Sequence, residues 1–279
     1  MRRATQVVVA KEQFFLAASS EVVDLLDRAG DKAGVSRGQA FEDFLTFLRC
    51  ELAGKTMEEE YLQTVAKGYA VGVQGKRGID LMVQAGGRLI GEMVNTDDDL
   101  LGDIFTGAIT YGEKGQFFTP ERVCDLMASL SVPTDPTDDI KTVCDPACGS
   151  GRMLLQVAKY QPHWEFTGQD SDHRCAQMAV INMGLRGLRG WAVWQNSLTL
   201  QVHRVYRIGL FFNETARGVV REVPVEQSPF NYPAIAQSPK TSTDERMVDR
   251  EREVNRGEEP DVQKPPDSDD GPAAQLDLF

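Results

Sequence analysis

The feature that most constrains the fold is the stretch from Val143 to Leu155, which reads VCDPACGSGRMLL. It begins as a short apolar strand, turns through Asp-Pro and two glycines, and continues with apolar residues at helical spacing. Glycines at such a turn let the backbone bend sharply and approach a ligand closely. Asp170 ends the next predicted strand, where a carboxylate can accept hydrogen bonds from ribose hydroxyls. The pattern therefore predicts a site for a ligand that carries a nucleoside.

The segments around this turn predict an α/β protein with a doubly wound, mostly parallel sheet, because strands and helices alternate along the chain. The first hundred residues instead show helical spacing, with Phe41, Phe44, Leu45 and Leu48 on one face. After Tyr232 the chain is rich in Pro and charged residues, which predicts disorder. We therefore expect a helical domain over 1–108, a ligand-binding domain over 109–234, and an acidic disordered tail over 235–279.

Charge and composition argue against several classes of protein. The formal net charge of −12 argues against a broad basic face that grips nucleic acid. Five cysteines without a C-x-x-C pair and three scattered histidines favour neither a disulfide framework nor a metal site. No apolar run reaches the roughly 18–20 residues needed to cross a bilayer. We expect a cytoplasmic protein with no metal and no membrane contact.

Two motifs in the chain carry a specific resemblance. DPACGSG at 145–151, preceded by GQFFTPERV at 115–123, resembles the S-adenosylmethionine site of adenine-specific (amino-group) DNA methyltransferases, in particular the modification subunits of type I restriction-modification systems. The resemblance implies a class I methyltransferase (Rossmann-like) fold, S-adenosylmethionine as cofactor and DNA as substrate. It implies that Asp170 binds the ribose of the cofactor and that Asn196 binds the amino group of the cofactor's adenine. It assigns the remaining cofactor contacts to Gln116, Phe118, Thr119, Asp145, Ala147, Gly149 and Gly151.

The chain departs from the family's pattern at the residues that would carry out catalysis. The family's Asn/Asp/Ser-Pro-Pro-Tyr/Phe tetrapeptide does not occur. One candidate is Asn213, at the end of a fourth predicted strand; the other is Ser228 with Phe230, in EQSPFNYP. The predicted sheet is truncated, and a partner or the VVREVPV segment at 219–225 would have to cover its edge near Phe212. An active enzyme would therefore need a partner, which would also provide most of the contact with DNA.

The chain ends in AAQLDLF, an apolar cluster within the acidic tail. Its last five residues resemble the peptide by which bacterial replication and repair proteins dock on the sliding clamp: Gln275, Leu276, Asp277, Leu278 and Phe279. The other interpretation is that the tail folds back on the open edge of the sheet. Two functions follow: an adenine-specific DNA methyltransferase completed by a partner, or an inactive, cofactor-binding accessory protein tethered to the clamp.

Overall fold

The computed structural model describes residues 14–110, 118–212 and 217–230. These residues all belong to one compact unit that extends to Asn231. The amino-terminal part contains the helices α1 (Ala17–Ala33), α2 (Arg37–Ala53), α3 (Glu58–Val65), α4 (Gly78–Thr96) and α5 (Leu100–Ile104). A 3-10 turn (Gly54–Met57) precedes α3, and a π-helical turn (Phe105–Thr110) follows α5.

Three further helices and five strands form the rest of the described chain. In order, they are α6 (Glu121–Ser131), β1 (Thr142–Asp145), α7 (Arg152–Tyr160), β2 (Glu165–Asp170), α8 (His173–Leu185), β3 (Arg189–Asn196), β4 (Gln201–Phe212) and β5 (Arg217–Val223). A 3-10 turn (Val225–Gln227) follows β5. No helix in these described ranges is long and apolar enough to cross a membrane.

Helix α2 shows why the amino-terminal part is helical. The Ser36 side chain accepts a hydrogen bond from the Gln39 N–H and caps the first turn. Gly54, at φ +62°, ends the helix in a conformation that favours glycine. Phe41 and Phe44, both on the predicted apolar face, are completely buried. The predicted helical region is confirmed.

The strands form one sheet in the order β1-β2-β3-β4-β5. β1, β2 and β3 are parallel, and α7 and α8 connect them, so the predicted Rossmann-like alternation is confirmed. β4 and β5 are antiparallel, which makes the sheet mixed. The reason is the short connection between Asn196 and Gln201, since a parallel crossover needs a dozen or more residues.

The edges of the sheet explain where it is truncated. β5 pairs with β4, so part of the VVREVPV segment covers the edge near Phe212 that the sequence left open. β1 is the other edge, and no described strand pairs with its outer side. The half of a doubly wound sheet that would continue beyond β1 is therefore missing from the part of the chain that the structure describes.

The helical part packs directly on the sheet. Helix α2 contacts both α8 and β5. The completely buried Arg49 guanidinium of α2 donates hydrogen bonds to Gln177 in α8 and to Glu60 in α3, and lies over the Tyr206 ring of β4. These contacts place the helices and the sheet in one unit, without a separation at 108/109.

Candidate functional site

The glycine loop follows the carboxyl end of β1. The Asp145 carboxylate accepts a hydrogen bond from the Ala147 N–H at 3.1 Å, which starts the turn. The Gly149 N–H donates to the Asp170 carboxylate at 2.9 Å, which ties the loop to the end of β2. Gly149 and Gly151 have φ of +54° and +84°, so both occupy the left-handed region that favours glycine. Gly151 then starts helix α7.

Phe118 connects the two sequence motifs. A Cβ atom added to Gly149 would lie 2.8 Å from the Phe118 ring, closer than van der Waals contact allows. The Phe118 ring also stacks on Phe105, with ring centroids 5.4 Å apart. Two features therefore require glycine at position 149: the positive φ and the close approach of an aromatic ring.

A cavity of about 260 Å³ opens between the loop and the start of α6. Its predicted lining residues are Phe118, Thr119, Asp145, Ala147 and Gly149. Five further residues that the sequence did not single out also line it: Cys124, Cys148, Ser150, Arg152 and Met153. The cavity is large enough for part of a nucleoside-containing ligand, and it combines an aromatic wall with charged groups.

Two residues predicted to bind the cofactor lie at the carboxyl ends of the parallel strands β2 and β3. Both already accept hydrogen bonds from the protein backbone. Both oxygens of Asp170 accept backbone N–H groups, from Gly149 and Asp172. The Asn196 Oδ1 accepts the N–H groups of Leu198 and Thr199 in its own turn. The Asp170 carboxylate still has acceptor capacity for hydroxyl groups, whereas the Asn196 oxygen is already saturated.

Burial changes the acid–base properties of the loop carboxylates. Desolvation raises the pKa of Asp145 and of Asp170 above its usual value, and backbone hydrogen bonds oppose that rise. Three residues after Asp170, the His173 ring packs at a tilt against Trp194, whose ring also packs against His203. Burial, reinforced by Arg204 and Arg49, lowers the pKa of His173 to about 4.

Asp99 is a site residue that the sequence analysis missed. Its carboxylate is buried and accepts hydrogen bonds from the Ser150 hydroxyl, from Arg152 Nε at 3.0 Å and from Asn182 Nδ2 at 2.9 Å. It also accepts the Gly102 N–H, which caps α5. Arg152 extends the network by donating to the Thr119 carbonyl oxygen. The capping position was visible in the sequence, but the pairing with Arg152 was not, since 53 positions separate them.

The described candidate catalytic residues, Ser228 and Phe230, do not line this cavity. Asn213 lies outside the described residues. Ser228 is buried, and its hydroxyl accepts the Phe230 N–H at 3.2 Å, beyond a turn that packs on β4. Gln116 and the peptide Gln275–Phe279 also lie outside the described residues.

Comparisons with known proteins give a consistent result. The family model described as N-6 DNA Methylase matches residues 96–255, more than half of the chain. The type I restriction enzyme MjaVIII methylase subunit of Methanocaldococcus jannaschii is 33% identical over 98 residues, which cover 32% of this chain and 16% of that protein. The MpnII methylase subunit of Mycoplasma pneumoniae is 33% identical over 79 residues, which cover 26% of this chain and 14% of that protein.

A solved structure shows a weaker likeness. The type I restriction-modification methyltransferase subunit from Streptococcus thermophilus aligns with 63% of this chain and 57% of that chain, at 14% identity and a TM-score of 0.36. The matches to the two methylase subunits cover only about a sixth of those proteins.

Proposed function

Because the chain belongs to the N-6 DNA methylase family, we propose that it binds S-adenosylmethionine at the glycine loop and contributes to methyl transfer to the N6 amino group of adenine in DNA. The observation that carries the proposal is the contact between Phe118 and Gly149, which brings the two family motifs together at one cavity. Transfer itself requires a partner, since the chain lacks the family's catalytic tetrapeptide and the described candidates Ser228 and Phe230 do not line that cavity.

The residues around the cavity fit the cofactor. The Phe118 ring lies directly against Gly149, and both residues line the cavity, so a ligand there would contact an aromatic wall and the backbone of the glycine loop. Asp145 offers a negative charge to a cationic group, and Asp170 retains acceptor capacity for ribose hydroxyls. When bound, S-adenosylmethionine supplies a methyl group on a positively charged sulfur.

The partner would supply what the described residues lack. A DNA methyltransferase must hold the target base outside the helix and fix its amino group next to the methyl group. It must also neutralise DNA phosphates, and this chain has a formal net charge of −12. The type I methylase subunits above are named as subunits of larger enzymes, which favours a multi-component assembly here as well.

A transfer assay tests the proposal. S-adenosylmethionine with a tritiated methyl group is incubated with unmethylated DNA and the full chain, with and without an extract of the cells that encode it. Incorporation into N6-methyladenine that depends on the chain supports the proposal, and the variants Asn213→Ala and Ser228→Ala show which candidate residue contributes. Absence of incorporation under every condition contradicts methyl transfer.

The second candidate function is an inactive accessory protein that docks on the sliding clamp. It rests on the peptide Gln275–Phe279 and on the missing Pro-Pro-aromatic sequence. Deletion of these five residues should remove binding to purified clamp and leave the affinity for S-adenosylmethionine unchanged. Clamp binding that persists after the deletion would contradict this candidate.

A further inference from the structure

Strand β1 has backbone groups that no described strand uses. The Lys141 carbonyl oxygen accepts the Glu165 N–H at 2.9 Å, and the β1–β2 pairing is parallel. In a parallel pair, successive residues direct their N–H and C=O groups to opposite sides. Val143 and Asp145 therefore bond toward β2, and the groups of Thr142 and Cys144 face the free edge.

Helix α6 has an exposed apolar face next to this edge. It packs on α7 through Cys124 and Ala128, both 1% exposed. Four apolar residues of α6 are 43–79% exposed: Val123, Leu126, Met127 and Leu130. Their spacing of three, four and seven residues is that of a helix face that normally packs against another element. We call these four residues the α6 face.

The free edge and the α6 face belong to the same side of the molecule. α7 packs against α8 and also against α6, and α8 lies over the side of β2 and β3. α6 is therefore on the side of β1. Cys124 of α6 and Asp145 of β1 line the same cavity, which places the start of α6 near the end of β1. An unpaired strand edge and an exposed apolar stripe are both typical of protein interfaces.

The charges around this surface indicate the kind of occupant. Glu121 and Asp125 of α6 are engaged with α7, through Gln156, Lys159 and Tyr160. The other charged residues from Arg122 to Lys141 are Asp135, Asp138 and Asp139, against Arg122 and Lys141, and leave an excess of negative charge. A second copy of the chain would place the same excess of negative charge opposite this one. An occupant with basic residues around an apolar strand would match both the charge and the α6 face. It would also bring the positive charge that contact with DNA requires.

We propose that the free edge of β1 and the α6 face form one docking surface for a second polypeptide, which adds an apolar β-strand with basic flanks to the sheet. The strand pairs with Thr142 and Cys144, and its side chains pack beneath α6. This inference rests on the proposed function, because it identifies where the partner needed for transfer binds. Docking can nevertheless be measured without any transfer.

The experiment starts from a photo-crosslinking residue in place of Leu130 of the full chain, in an extract of the cells that encode it. The crosslinked peptide is sequenced, and the polypeptide that contains it is purified. We expect an apolar strand flanked by Lys or Arg, and slower amide exchange at Thr142 and Cys144 in the complex. The double variant Leu126→Glu, Leu130→Glu should weaken the affinity at least about tenfold. The matched control Val83→Glu, Val94→Glu, at exposed positions of α4, should bind as the wild type does.

Several results would overturn the inference. They are a crosslink only to a second copy or to the chain itself, unchanged exchange at Thr142 and Cys144, and equal affinity of the double variant and the wild type. Methyl transfer is assayed on the same samples. Docking without transfer would contradict the proposed function alone, and transfer without docking would contradict the docking surface alone.

Discussion

The buried carboxylate of Asp99 links α5 to the glycine loop. Ser150, Arg152 and Asn182 all direct donors at it, as does the Gly102 N–H. Such a carboxylate fixes the position of the loop before a ligand arrives, and removal of its charge leaves Arg152 without its buried counter-ion.

Substitution Asp99→Asn tests this role. In this variant the amide nitrogen, itself a donor, would face the hydrogen-bond donors that now bind the carboxylate. We therefore expect a loss of about 3 kcal/mol in the free energy of unfolding. Urea denaturation measures it. The control is Asp97→Asn, since Asp97 is an exposed partner of Arg186 in the left-handed region, where Asn is well tolerated. Its cost should stay below about 0.5 kcal/mol. Equal costs would show that the Asp99 network does not stabilise the loop.

His173 predicts a pH dependence of stability. Burial lowers its pKa in the folded state to about 4, below the usual value near 6.5. Between these values the unfolded chain binds more protons, so stability falls as the pH drops from about 6.5 to 4. In His173→Gln we expect the fall over this window to be smaller by about 1 kcal/mol, after allowance for partial exposure of the ring. Denaturation at several pH values measures it, and identical pH profiles would contradict the assignment.

At the scale of elements, the pairing of β2 and β3 depends on one glycine. Gly190 has φ +147°, and a Cβ atom there would lie 1.7 Å from the Phe166 carbonyl oxygen. Gly209 in β4 has almost the same φ, +150°, but its nearest neighbour would be 3.9 Å away.

We expect Gly190→Ala to cost at least about 3 kcal/mol of unfolding free energy, because strands β2 and β3 must separate. Gly209→Ala should cost only about 1 kcal/mol, the strain of the backbone alone. Chemical denaturation of both variants provides the comparison. A cost for Gly209→Ala as large as that for Gly190→Ala would mean that backbone strain, and not the clash with Phe166, determines the loss.

The elements also show what the sequence could predict. The glycine loop was predictable because its requirements are local: Gly149 and Gly151 need positive φ, and Asp145 caps its own turn. The direction of β4 was not recognised, although the four-residue connection before Gln201 determines it. The exposure of Leu126 and Leu130 could not be predicted, since apolar spacing indicates a face but not whether a neighbour covers it.

At the scale of the whole molecule, we expect the helices and the sheet to unfold as one cooperative unit, because the described residues form one compact unit. All three tryptophans, Trp164, Trp191 and Trp194, belong to the α/β part, whereas α1–α5 contribute much of the helical signal. Tryptophan fluorescence and far-ultraviolet circular dichroism should therefore report the same urea midpoint, because Arg49 and the α2–α8 packing join the two parts. Two separate midpoints would show two independent domains with a boundary near residue 108.

Calorimetric titration of the full chain with S-adenosylmethionine tests the proposed cofactor site most directly. We expect saturable binding at one site per chain, which Gly149→Asp abolishes because the new side chain collides with Phe118. Gly187→Asp is the matched control, since Gly187 also has a positive φ but no neighbour within 4 Å, and it should bind as the wild type does. No binding by the wild type, or unchanged binding by Gly149→Asp, would contradict a cofactor site at the glycine loop.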